Sequence, residues 1–385
     1  MSSDALRVAV VTESFLPSLN GVTTSVCRVL EHLARGGHQA LVICPGPAPE
    51  NFAGHRVLSV PAVRYRRFPV GLPTPALTAA LAGFAPDVVH VASPFVLGAA
   101  GLTSAARLGV PSVAVFQTDV AGFARTHGLA LAAPTAWRWI KRVHERADLT
   151  LVPSAAALGD LRARDVPRLA MWGRGVDAER FRPRRRATRQ VQALRSRWAP
   201  GGEVLVGYVG RLAAEKEVER LAVVAGLAGL RLVVVGDGPA RAALERRLAA
   251  AAWEGAPPLF TGQLDGEALA DAYAALDVFV HTGTRETFGQ TLQEAMASGL
   301  PVVAPAAGGP LDLFTDGVEG RFYPPGDDHA LRARVHELAA DGELRQRMGL
   351  AGRERVLPRS WSALCDDLLE HYRRVIASHA PALAA

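Results

Sequence analysis

Short apolar runs alternate with helical periodicities along almost the whole chain, and this alternation restricts the fold more than any other feature. Arg7-Val8-Ala9-Val10-Val11-Thr12 reads as a buried strand. Val22, Val26, Val29, Leu30 and Leu33 then repeat at helical spacing until Gly36-Gly37 stop them. Leu41 to Cys44, Val88 to Val91, Val113 to Phe116 and Thr150 to Val152 continue as short strands between helical stretches. The pattern starts again with Val204 to Val209, Leu232 to Val235, Leu259 to Thr261, Val278 to His281 and Val302 to Ala304. Strand and helix alternation of this kind predicts doubly wound α/β units, here two in sequence with a cleft between them.

A chain of 385 residues, 49% of them apolar, gives each unit enough material for its own core. The basic, proline-broken segment Phe181-Arg182-Pro183-Arg184-Arg185-Arg186 has the character of a linker, which puts the expected domains at 1–178 and 179–360. Beyond Asp328 the pattern is helical, and Pro358 sets off a last helix, Trp361 to Ser378. No apolar run is long enough to span a bilayer, and Met1-Ser2-Ser3-Asp4 leads into the first strand without the regions of a signal peptide. The expected location is the cytoplasm. Cys27, Cys44 and Cys365 are far apart and lack zinc or redox spacing, so they read as reduced fillers.

Charge is placed unevenly. Residues 1–175 carry 17 Lys+Arg against 10 Asp+Glu, net +7, whereas 176–385 carry 26 against 27, net −1. Arg64, Arg66 and Arg67 form one cluster; Arg138, Lys141, Arg142 and Arg146 fall at helical spacing beside Trp137 and Trp139. Two readings stand side by side, a solvated face and a surface for anionic lipid headgroups or an anionic acceptor.

The richest stretch for chemistry is Thr284 to Gly299, between the apolar runs at Val278 and Pro301. Loops leaving the carboxyl ends of parallel strands face the ligand crevice, and a following helix N-terminus offers N–H groups to an anion. Glu286 falls in that loop, Glu294 about two turns into the helix, and Gly289 between them permits close backbone approach. Arg211 and Lys216 follow the first strand of the second unit, where both could reach a diphosphate. Of 43 basic residues only Lys141 and Lys216 are lysine, which favours a functional reading of Lys216 over a surface cation. Gly308-Gly309 is either an ordinary turn or a source of backbone N–H groups beside Glu286. In the first unit Glu13 to Gly21 forms a loop ending in glycine at a helix start, without the spaced glycines of a dinucleotide fingerprint. Gln117 and Asp119 follow another strand; Asp119 is a helix cap or turn residue, or a carboxylate orienting a sugar hydroxyl or accepting a proton. His127 is ambiguous. The sequence has no Cys/His metal cluster and no acidic triplet for a metal-bound diphosphate.

In order along the chain, Gly21, Arg211 with Lys216, Glu286 and Glu294, Gly308-Gly309 and the closing Trp361 helix resemble the family 4 glycosyltransferases. The resemblance implies the GT-B fold, an α/β architecture of two Rossmann-like doubly wound domains facing across a cleft, with the C-terminal helix (361–385) returning to the N-terminal domain. It also implies a retaining hexosyltransferase that uses a nucleotide-activated donor and no metal or other cofactor. Glu286, with the backbone of Phe288, Gly289, Gln290 and Thr291, would hold the donor sugar and phosphates, and Glu294 the ribose hydroxyls. Arg211 and Lys216 would stabilise the departing diphosphate, Gly21 would let the N-domain backbone approach the phosphates, and Gln263-Leu264 would lie beside the base. Many relatives have histidine before threonine where this chain has Gln117-Thr118. Gln117 cannot titrate, so any polar role there passes to Asp119 or a backbone carbonyl. Phe116 to Phe123 and Trp172 to Asp177 resemble the actinobacterial GDP-mannose-dependent α-mannosyltransferases that modify glycolipids. That likeness makes GDP-mannose the first expected donor, a UDP-sugar the second, and a non-catalytic nucleotide-sugar-binding module the third reading. The expected acceptor is a lipid-linked or small hydroxyl compound, with peripheral contact to an anionic membrane and none to nucleic acid.

Overall fold

A computed structural model describes residues 5–18, 20–65, 68–117 and 133–379. The chain forms two compact units, Met1–Arg174 with Trp361–Ala385, and Gly175–Ser360.

The first unit contains β1 (Arg7–Val11), β2 (Gln39–Pro45), β3 (Asn51–Phe52), β4 (His55–Val60), β5 (Ala62–Tyr65), β6 (Phe68–Gly71), β7 (Val88–Val91), β8 (Ser112–Val115), β9 (Leu149–Val152) and β10 (Leu169–Met171). Eight of these form one sheet in the order β10-β9-β8-β7-β1-β2-β4-β3, parallel throughout except for β3 against β4; β5 and β6 pair as a separate hairpin. The central strands are buried at nearly every position and mostly apolar because both faces are covered. In β1, Val8 and Val10 face a core with Val26, Leu30 and Leu33 of the helix Gly21–Arg35 and with Leu368 and Tyr372 of the helix Trp361–His379. Ala9 and Val11 face the opposite core, against Leu77, Leu81, Leu97 and Leu102. The last helix is thus part of the first unit's wall. Trp172 Nε1 donates to Leu364 O at 2.8 Å, and the Tyr372 hydroxyl lies 2.7 Å from Nδ1 of the buried His90.

The second unit contains β11 (Val204–Val209), β12 (Leu230–Val235), β13 (Ala256–Gly262), β14 (Val278–Val280), β15 (Val302–Pro305) and β16 (Gly320–Tyr323). All are parallel, in the order β13-β12-β11-β14-β15-β16. The strand order reverses between β11 and β14, and in the first unit between β1 and β7. At such reversals neighbouring loops diverge from the carboxyl ends and open a crevice.

Three features depart from the sequence reading. The strands β3, β4, β10 and β16 and the hairpin β5–β6 have no counterpart in the sequence pattern. The segment expected as a linker is bound to the second unit, with Pro183–Ala187 forming a 3₁₀ turn. Its Arg185 pairs with Glu267 and, at 2.7 Å, with Asp271, and its Arg186 pairs with Asp277. The chain crosses between units earlier, at Arg174 to Gly175, and returns at Ser360 to Trp361. Val176 N–H donates to Arg359 O at 2.9 Å, so the outgoing and returning segments are bonded to each other on the second unit's side.

Candidate active site

The strand reversal of the second unit brings together the loops after β11 and β14. Lys216 Nζ donates to Glu286 Oε2 at 2.8 Å, which joins residues 70 apart in sequence. The loops are braced twice more. Thr282 Oγ1 donates to Lys216 O at 2.7 Å, and Thr284 N–H to Glu217 Oε1 at 3.1 Å. Glu217 holds a left-handed backbone (φ +50°), so this turn keeps its shape against a local preference. Burial by itself would raise the Glu286 carboxyl, but the Lys216 ammonium overrides it and holds Glu286 well below the usual range. Glu286 in turn raises Lys216, with burial and the nearby Arg211 opposing. Both members of the pair are therefore charged at neutral pH. His281 lies 4.0 Å from Glu286, but burial lowers its pKa to about 4, so it is a neutral imidazole there.

The helix Gln290–Ala297 begins beside this pair, and no side chain caps it. Its first residue follows Gly289 at φ +103°, where a β-carbon would be strained and would lie 2.9 Å from Leu313 Cδ1. A helix N-terminus left open in this way presents unpaired N–H groups and a positive dipole end. The switch-point helices of the first unit differ. Asn20 Oδ1 accepts from Val22 and Thr23 N–H at 3.0 Å, and the buried Glu13 carboxylate accepts from Leu97 N–H at the start of the helix Val96–Leu108. Among these three helix starts, only the one at Gln290 has its N–H groups available to an external anion.

Glu294 lies on the first turns of that helix. Its Oε2 accepts from the Tyr273 hydroxyl at 3.1 Å, and its Oε1 is 3.4 Å from Gln290 Nε2. Burial pushes its carboxyl up to about 7, against the opposing hydrogen bonds. Phe288 is buried in the core, which leaves only its backbone for a ligand. In the Gly308-Gly309 turn the Gly309 N–H is taken, donating to Glu286 O at 2.7 Å. Those glycines also permit close backbone contact. A β-carbon on Gly309 would sit 2.4 Å from Phe288 Cα, so the turn clamps the Glu286 to Phe288 loop from behind.

The remaining candidates are more dispersed. Arg211 is exposed and 3.4 Å from Glu215. Leu264 packs against the core at the end of β13. In the first unit, Gly21 O accepts from Arg174 Nη1 at 2.6 Å. Gln117 is engaged at both ends: its Nε2 donates to Ala92 O at 2.7 Å and its Oε1 accepts from Arg174 Nη2. It joins the carboxyl ends of β7 and β8 to Arg174. Asp119 and His127 lie outside the described residues.

Two sequence families cover these units. Residues 19–180 match glycosyltransferase family 4, and residues 192–355 match glycosyl transferases group 1. A GDP-mannose-dependent alpha-mannosyltransferase of Mycolicibacterium smegmatis is 50% identical over 96% of this chain and 98% of its own length. The chain belongs to glycosyltransferase family 4. A protein of the same description in Corynebacterium glutamicum is 45% identical over 97% of this chain and 90% of its own length. Anabaena HepE, solved in complex with UDP and glucose, superposes with a TM-score of 0.78 at 17% identity over 95% of this chain and 99% of its own. That likeness shows the fold, which is GT-B.

For a family 4 glycosyltransferase the sequence reading overlooked three contributors to the candidate site. Tyr273 sits in an alanine-rich helix and reads as core. Glu217 reads as one member of a charged run, although it braces both loops. Arg174 gave one available signal, a lone arginine between two glycines at the end of the first unit's last strand segment.

Proposed function

We propose that this family 4 glycosyltransferase moves α-mannose from GDP-mannose to a hydroxyl of a lipid-linked or small acceptor, with retention and without a metal ion. The observation that carries the reading is the Lys216–Glu286 ion pair beside the uncapped N-terminus of Gln290–Ala297. A sugar nucleotide presents that arrangement with a diphosphate for the cations and N–H groups, sugar hydroxyls for Glu286, and ribose hydroxyls for Glu294. The GDP-mannose assignment rests on the two relatives.

In the reaction the bond between mannose C1 and the β-phosphate oxygen breaks, and a bond forms from C1 to the acceptor oxygen on the same face. The acceptor's proton passes to the departing phosphate oxygen, so no enzymic base is needed. Negative charge grows on that phosphate, beside which this reading places Lys216, Arg211 and the helix N-terminus before the reaction begins. Fixed charges of this kind stabilise a developing anion with little reorganisation. Glu286 is ionised and cannot act as a general acid. It keeps Lys216 charged and accepts hydrogen bonds from the sugar.

The acceptor belongs to the basic first unit in this reading, and so does contact with an anionic membrane. On the helix Ala133–His144, Trp137 is covered by Phe116 and Arg164, while Lys141 lies 3.7 Å from Asp165. Arg138, Trp139 and Arg142 remain exposed on one face, with Trp139 43% accessible. No described helix is long and apolar enough to cross a membrane, so contact through such a face would be peripheral.

A panel of nucleotide sugars, incubated with the purified protein and an acceptor extract in EDTA, tests the reading through nucleotide release and the anomeric configuration of the product. GDP-mannose should turn over to an α-mannoside. Turnover of UDP-sugars alone would overturn the donor assignment, and loss of activity in EDTA restored by a divalent ion would overturn metal independence.

A further inference from the structure

Tyr273 is buried in the second unit's core, yet its hydroxyl reaches the candidate donor site. Its ring meets Phe181 edge-on and lies tilted against Phe279, which fixes the helix Gly266–Ala275 and the position of the oxygen. That oxygen is 3.1 Å from Glu294 Oε2 and 3.2 Å from the carbonyl of Thr291. Both neighbours are acceptors when Glu294 is ionised, and a phenol has one hydrogen to give. Tyr273 therefore supports the carboxylate with a shared bond only.

The second support is long rather than divided, since an amide NH2 has two hydrogens to give. Gln290 Nε2 donates to Gly175 O at 3.1 Å and approaches Glu294 Oε1 at 3.4 Å, while Gln290 Oε1 is buried with no partner. Arg180 and Asp177, on the segment entering this unit, act in opposite directions on Glu294, and no cation pairs with it among the described residues. A buried carboxylate held by one shared phenol hydrogen and one 3.4 Å amide contact is poorly compensated, so the neutral form is favoured. The carboxyl pushed up to about 7 agrees with this geometry.

We propose that Glu294 holds a proton while the site is empty and that binding of the donor's ribose expels it, with Tyr273 as the positioning residue that sets how readily the proton leaves. This rests on the reading that Glu294 takes the ribose. Two adjacent ribose hydroxyls both donate, which adds two full bonds to the shared one from Tyr273 and stabilises an ionised carboxylate. The Glu294 O–H bond breaks and its proton goes to the buffer; nothing is oxidised or reduced. Tyr273, still bonded to the Thr291 carbonyl, ties the carboxylate to the first turn of the helix that faces the diphosphate.

Calorimetric titration of GDP-mannose into the intact protein, repeated in buffers of different ionisation enthalpy, counts the protons released, because GDP-mannose has no group titrating near neutrality. About half a proton should leave at pH 7, and affinity should weaken about tenfold from pH 8 to pH 6. Tyr273→Phe keeps the ring but removes the bond to the ionised form. It should move this pH midpoint upward and raise the donor KM at pH 7 several-fold, with a smaller fall in kcat. Binding heat without proton release, with affinity flat from pH 6 to 8, overturns the proposal. An unchanged midpoint and KM in Tyr273→Phe removes Tyr273 from it. Absence of binding heat, or wild-type affinity in Glu294→Gln, instead defeats the donor reading on which it rests.

Discussion

Of the 43 basic residues in this chain only two are lysine, and one of them donates at 2.8 Å to Glu286 beside an uncapped helix start. A compact ammonium fits between a carboxylate and a phosphate oxygen, where a planar guanidinium would commit its fork to one of them. Lys216→Ala should therefore lower kcat/KM by about 100- to 1000-fold, the usual effect of losing one preorganised stabiliser of a developing anion. Lys216→Arg should recover little of it. Steady-state kinetics with GDP-mannose checks both, and an arginine variant of near wild-type activity would sink the argument. The positions of Lys216 and Glu286 at strand ends were legible because lysine is rare here and acids in such loops have a mechanical meaning. Tyr273 was illegible for a physical reason: an aromatic at helical spacing among alanines reads as core, and its ring is indeed core. Only its oxygen belongs to the site.

Among the elements, the helix Ala133–His144 shows how packing sorts a basic sequence into used and unused charge. Ile140 and Val143 are buried, Lys141 is drawn to Asp165 and Glu145, and Arg138, Trp139 and Arg142 remain outward. Each arginine near an anionic surface contributes about 1 kcal/mol, so Arg138→Gln with Arg142→Gln should weaken binding to phosphatidylglycerol vesicles about 30-fold. Sedimentation at rising salt gives the reading. Wild-type binding that ignores salt, or a double variant that sediments like wild type, would refute the membrane face. The same sorting explains which strands were legible. β1 beyond Arg7, β11 and β14 are covered on both faces and read as unbroken apolar runs, and β7 is interrupted only by His90. The β4 sequence His55-Arg56-Val57-Leu58-Ser59-Val60 and the β16 sequence Gly320-Arg321-Phe322-Tyr323 mix polar and apolar side chains. Lying towards or at the sheet edges, they satisfy their backbones without a hydrophobic signature.

At the scale of the whole molecule, the two units differ in how buried titratable groups couple to folding. In the first unit burial lowers His90 and His144 to about 4, and lowers His55 and His371 too. A histidine held neutral by the fold binds its proton more readily when unfolded. Stability from it is present above the ordinary value of 6.5 and is lost as pH falls towards 4. Between pH 7 and pH 5 that amounts to about 2 kcal/mol for each of His90 and His144, partly offset by Glu13, whose carboxyl burial raises. The second unit has His281 at about 4 acting in the same direction, but Glu294 at about 7 acts in the other. A raised carboxyl gains a proton on folding, so it adds stability as pH falls from 7 towards 4.5, and the two nearly cancel. Mild acid should therefore loosen the first unit before the second. Hydrogen exchange at pH 7 and pH 5, corrected for the intrinsic pH dependence, should show protection falling by at least tenfold more in β1 and β7 than in β11 and β14. Equal losses in the two sheets would mean that these histidines do not control acid stability. Donor binding sharpens the contrast: it holds Glu294 ionised and removes its stabilising proton uptake, so the bound second unit should lose its own resistance to mild acid while the first unit's response is unchanged.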